Sequence, residues 1–172
     1  MKTQAEIKQA IERFEDVIRK RPAAGQFSSK TTARWTSGLA CEIEEGPWKF
    51  VCDEPESLGG EDAAPDPGVY GRAAIAACVT IGIAINFARE GLQLDGLRVG
   101  AESNGDVSER THPLTPYRAI RLRIDDKTSA PDAEAKRLID ASIDGSVWLG
   151  NSRTAFDVPV ESTINGRRAA SL

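Results

Sequence analysis

The sequence predicts an α+β domain, and three observations carry that reading. Apolar and polar residues alternate in two separate clusters, a helical pattern follows each cluster, and an amphipathic helix precedes both. The order is helix, three strands, long helix, two strands, helix, strand, which implies a largely antiparallel sheet around a long buried central helix. At 172 residues, 40% hydrophobic and 28% charged, the chain is long and apolar enough for one domain with a real core.

Thr3 and Glu6 have capping-box spacing, and Ile7, Ile11, Phe14 and Ile18 recur at helical intervals, so residues 3–20 read as an amphipathic helix. Pro22 to Gly25 ends it, making residues 1–25 an appendage with a linker. The domain proper then spans 26–165, and 166–172 is a polar tail. Phe27 to Trp35 reads as a strand and Thr36-Ser37-Gly38 as a turn. Leu39, Cys41 and Ile43 alternate with polar residues, as do Trp48, Phe50 and Cys52 beyond the turn at Glu45-Gly46-Pro47. Centring that turn on Glu45 and Gly46 sets Cys41 opposite Phe50 and Leu39 opposite Cys52, which leaves the two cysteines diagonal and puts all six residues on a core face.

Asp53 to Asp66 is acidic and rich in Gly and Pro, the composition of a surface connection. Asp66 is a natural N-cap, Pro67 suits the first helical position, and Gly91 closes a helix that starts there. From Ala73 to Ala88 this helix has no charge. The run is shorter than the roughly 20 apolar residues a spanning helix needs and is built largely of Ala and Gly, so it reads as a buried core helix. Leu94 to Asn104 and Tyr117 to Asp125 read as strands, the second with Arg118, Arg121 and Arg123 on a solvated face. Ser129 is expected to cap a helix near Pro131 to Ser142, with Leu138 and Ile139 inward, and Phe156 to Thr163 to form a closing strand.

A net charge of −4 leaves no basic excess for a phosphate backbone, so nucleic acid is not an expected partner. Cys41, Cys52 and Cys78 are too few for a disulfide framework, and His112, the one histidine, sits in a loop beside Pro113; no metal or cofactor is expected. The charged N-terminus has no apolar signal segment, so a cytoplasmic location, reduced thiols and no membrane partner are expected.

Gly71, Ala74, Cys78 and Gly82 fall on one stripe of the long helix, and all are small. Such a stripe lets another backbone approach, with the cysteine used for its size. A reactive role needs a stabilised thiolate. Cys78 is about three turns into its helix, beyond the reach of the macrodipole, Arg72 lies around the helix from it, and Arg89 is about 16 Å along the axis. A cation would have to come from elsewhere, such as Arg34 beside the expected turn or a second subunit; without one, burial would raise the Cys78 pKa and leave it inert.

The stretch from Trp35 to Gly91 resembles the OsmC/Ohr family of thiol-dependent peroxidases, particularly its general OsmC-like branch. The resemblance is carried by the hairpin beginning at Trp35, DEPESLGG at Asp53 to Gly60, Pro65-Asp66-Pro67, and AAIAAC leading into Cys78. It implies an OsmC-like fold whose chains form an intertwined homodimer with a thiol site near the interface, and it assigns Cys78 as the attacking cysteine. In active members a second cysteine follows the last helix, where this chain has Ser142-Ile143-Asp144-Gly145-Ser146. A glutamate ten residues before the attacking cysteine is replaced by Gly68, and an arginine at the first turn by Leu39. Two functions follow. One is reduction of organic hydroperoxides or hydrogen peroxide through Cys78 alone, in oxidative stress defence. The other is binding, without catalysis, of a small apolar or thiol-bearing ligand against Ala74, Cys78 and Gly82.

Overall fold

The computed structural model describes residues 2–105, 117–153, 163–164 and 167–168. The first helix, α1 (Gln4–Lys20), starts where the sequence places it: the Thr3 hydroxyl accepts the Glu6 N–H, and the Glu6 carboxylate accepts the Thr3 N–H at 2.7 Å. Ile7, Ile11 and Ile18 are half-buried while Phe14 faces solvent. The helix lies against the long helix, to which Glu15 is ion-paired through Arg89.

Three antiparallel strands follow in sequence order, β1 (Thr32–Ser37), β2 (Ala40–Glu45) and β3 (Trp48–Cys52). The first starts later than expected: Phe27 lies outside it and is 90% exposed. The expected hairpin register is corrected by two residues. The turn is Gly46-Pro47, so Cys41 pairs with Cys52, Ile43 with Phe50 and Glu45 with Trp48, while Leu39 lies in the preceding turn. Gly46 explains the choice, because at φ +55° it occupies the first turn position in a conformation that L side chains rarely adopt. Alternation survives the shift, and the face holding Trp35, Cys41, Ile43, Phe50 and Cys52 is apolar while Arg34, Glu42, Glu44 and Lys49 share the other. Within this chain that face is covered only in part: Cys52 is buried and Cys41 and Ile43 half-buried, whereas Trp35 and Trp48 are 69% and 70% exposed. The sheet meets the long helix through Tyr70, whose ring lies 5.4 Å from that of Phe50 and whose hydroxyl donates to the Val51 carbonyl.

The connection after β3 closes around one buried carboxylate. Asp53 accepts the backbone N–H groups of Glu54, Glu61 and Ala63, which hold its pKa below the ordinary aspartate value against the opposing effect of burial. Gly60 is required there, since a Cβ would fall 1.8 Å from the Glu54 carbonyl oxygen.

The long helix, α2 (Pro67–Glu90), is capped as expected by Asp66, which accepts the Val69 N–H, and by Gly91 in the left-handed region. Ile75, Val79, Ile83 and Phe87 form one buried stripe that packs with Ala135, Leu138 and Leu149 and with the apolar side of the second sheet. This sheet pairs β4 (Leu94–Gly105) with β5 (Tyr117–Thr128), setting Val99 opposite Ile124 and Ala101 opposite Leu122 while Arg121 and Arg123 face solvent. A bulge between Leu94 and Gly96 brings both Leu94 and Leu97 onto the core despite their odd spacing. Within this chain one stripe of α2 is packed while Ile81 on another side is 59% exposed, and by length and composition alone α2 is long and apolar enough to cross a membrane.

The next helix, α3 (Asp132–Asp144), has Pro131 at its N-cap; the Thr128 hydroxyl, not Ser129, organises the turn before it by accepting the Ala130 N–H. Leu138 is buried and Ile139 half-buried, as expected. A short helix that the sequence pattern does not announce, α4 (Val147–Arg153), follows at once. Two short strands, β6 (Thr163–Ile164) and β7 (Arg167–Arg168), pair with each other. Among the described residues the architecture is α+β, every strand pairing is antiparallel, and the strands lie in separate sheets. The expected strand at Phe156 to Thr163, apart from its last residue, and His112 lie outside the described residues.

Candidate functional site

Cys78 is half-buried on the side of α2 that turns toward the junction of α3 and α4. The small-residue stripe makes that approach possible. Gly82 stands against Ser142, where even an added Cβ would only touch it, and the Asn86 side chain donates to the Ser142 hydroxyl at 2.8 Å. Ser142 in turn donates to the Leu138 carbonyl, which fixes the end of α3 against α2. The chain then reverses at Gly145 and delivers Ser146 and the first turn of α4 to the cysteine.

The electrostatics of the thiol follow from that delivery. The Ser146 hydroxyl, followed by the backbone N–H groups of Trp148 and Val147, hydrogen-bonds the Cys78 sulfur and holds its pKa below the ordinary thiol value; burial pulls the other way and loses. Val147 and Trp148 are the first residues of α4, so their N–H groups have no intrahelical acceptor and are free to serve the sulfur. Ser146 is itself buried, and its oxygen also accepts the Leu149 N–H. A thiolate is thus stabilised by neutral donors, without the cation that the sequence reading requires.

Ala74, Cys78 and Gly82 together line a groove of about 640 Å³ whose other walls include Ile81, Ile85 and Trp148. Trp148 also borders a second groove of about 380 Å³, which Gly68 and Arg72 help line. Arg72 donates to the Ser103 hydroxyl rather than to the thiol. Arg34 projects from the charged face of the first sheet, ion-paired with Glu42, and is not among the groups that shift the Cys78 pKa. Leu39 occupies the turn after β1. Among the described residues no cluster of His, Cys, Asp or Glu could hold a metal ion.

Ser146, Val147 and Trp148 do not stand out in the sequence pattern. The available signal was Ser146 as an N-cap ahead of Val147-Trp148-Leu149, a cue confined to a seven-residue helix.

Residues 59–148, just over half of the chain, match the family described as OsmC-like protein. The fold is similar to that of an organic hydroperoxide resistance protein OsmC from Legionella pneumophila (TM-score 0.59, 18% identity, covering 75% of this chain and 91% of that one). It is also similar to the OsmC like protein of Mycoplasma pneumoniae (TM-score 0.65, 13% identity, 74% and 89%). An organic hydroperoxide resistance protein from Elizabethkingia anophelis shares it as well (TM-score 0.58, 17% identity, 74% and 89%). None of the curated proteins matches.

Proposed function

The chain belongs to the family of OsmC-like proteins, and from that premise we propose that it reduces hydroperoxides through Cys78 as a one-cysteine peroxidase in oxidative stress defence. The observation that carries this reading is the set of donors at the sulfur: Ser146, Val147 and Trp148 favour the thiolate, which is the nucleophilic form. The thiolate attacks the outer oxygen of ROOH. The O–O bond breaks, RO⁻ leaves and takes a proton from water to become ROH, and Cys78 is left as the sulfenic acid.

No cysteine follows α3 to close an internal disulfide, so regeneration falls to an external thiol. One RSH condenses with the sulfenic acid, releasing water and forming the Cys78–SR mixed disulfide. A second RSH exchanges with it, giving RSSR and the free cysteine. The apolar groove along Ala74, Ile81 and Gly82 is a seat for the organic part of the peroxide. The working form, in a cytoplasm that keeps its thiols reduced, is a homodimer, and the exposed apolar residues on α2 and on the first sheet support that association.

Consumption of an organic hydroperoxide by the full chain with a dithiol reductant tests the reading. Wild type should turn over, Cys78→Ser should fall to the uncatalysed background, and Cys41→Ser should retain activity. Undiminished turnover in Cys78→Ser would remove the proposal.

A further inference from the structure

Cys41 and Cys52 are directly opposite each other on neighbouring antiparallel strands, with both side chains on the same face. Antiparallel partners have Cα atoms about 4.5–5.5 Å apart, inside the roughly 4.4–6.8 Å that a disulfide spans. The diagonal arrangement expected from the sequence would have left the sulfurs out of reach. Both thiols are free in the structure, and they differ in access: Cys52 is 5% exposed, whereas Cys41 is half-buried beside the largely exposed Trp35. The pair is also separate from Cys78. The hairpin touches α2 at Tyr70, eight residues before Cys78 and so about 12 Å away along the helix axis by its rise.

We propose that Cys41 and Cys52 form a second redox site, a dithiol that closes into a cross-strand disulfide when a low-molecular-weight disulfide oxidises it. Cys41 is the sulfur that a small oxidant reaches. Its thiolate attacks one sulfur of RSSR, forming the Cys41–SR mixed disulfide and releasing one RS⁻. Cys52 then loses its proton and attacks the Cys41 sulfur, forming the Cys41–Cys52 bond and releasing the second RS⁻. The two thiol protons end on the two RSH molecules; the protein gives up two electrons and the small disulfide gains them. Burial, followed by the adjacent Cys41 sulfur, pushes the Cys52 thiol up, which suits it to the resolving role. The inference is independent of peroxide chemistry at Cys78.

The test uses the full chain carrying Cys78→Ser, equilibrated with excess oxidised glutathione and mapped by peptide mass spectrometry. The expected product is a protein lighter by two hydrogen atoms, with the Cys41 and Cys52 peptides joined and separated again by a reductant. Adding Cys52→Ala should leave glutathione on Cys41. Persistence of a glutathione adduct on the intact pair, two thiols left free under excess oxidant, or no adduct at Cys41 in the Cys52→Ala chain would each overturn the proposal.

Discussion

At Cys78 two opposing effects set the chemistry. Partial burial disfavours a charged sulfur, and three hydrogen-bond donors favour it, with the Ser146 hydroxyl the largest of them. Ser146→Ala removes that donor and leaves the backbone N–H groups in place, so the Cys78 pKa should rise toward the ordinary thiol value. Because the thiolate is the alkylating form, the rate of reaction with iodoacetamide against pH should move to higher pH, and the rate at neutral pH should fall several-fold. A profile unchanged from wild type would show that the donor is not engaged. Arg34 and Glu42 make the contrasting case: an exposed ion pair on the charged face of the sheet, worth about 0–1 kcal/mol at most.

At the scale of elements, the helix ends were legible in the sequence because each is written in a few adjacent residues. Thr3 with Glu6, and Asp66 with Pro67 and Gly91, decide their caps locally. The hairpin faces were legible for the same reason, but its register was not. Moving the turn by one residue shifts every partner by two, which keeps all faces unchanged and so leaves no trace in the alternation. The φ +55° at Gly46 settles it, a backbone property that composition alone does not display. The short helix α4 was hidden because Val147–Arg153 is too brief for periodicity, buries Leu149 alone among its residues, and is held by α2 rather than by its own pattern. Half of the candidate site went unseen with it. The loop from Asp53 to Asp66 looked like solvated chain and proved to be ordered by the Asp53 carboxylate and by the close pass of Gly60 under Glu54. Gly60→Ala should destabilise the fold by about 1–3 kcal/mol or more through backbone overpacking, read as a lower denaturant midpoint with an unchanged slope. Equal midpoints would show that the loop yields at no cost.

At the level of the whole molecule, several large apolar side chains among the described residues stand exposed. One stripe of α2 is packed, while Ile81 on the same helix and Trp35 and Trp48 on the first sheet are largely exposed. A homodimer that covers α2 accounts for this, and it would also enclose the groove beside Cys78. Sedimentation at micromolar concentration should then give a dimer. Ile81→Asp should shift it toward monomer without the loss that a core substitution such as Ile83→Ala would bring, about 2–5 kcal/mol. A stable wild-type monomer under these conditions would contradict the dimer.

If Cys78 is a peroxide-reactive thiolate that works without a partner cysteine, intact-protein and peptide mass spectrometry after one equivalent of an organic hydroperoxide will reveal it. One added oxygen is expected, located at Cys78 and trapped as a sulfenic acid, or a mixed disulfide at Cys78 when a thiol is present. An unmodified Cys78, or an internal disulfide joining it to Cys41 or Cys52, would contradict it.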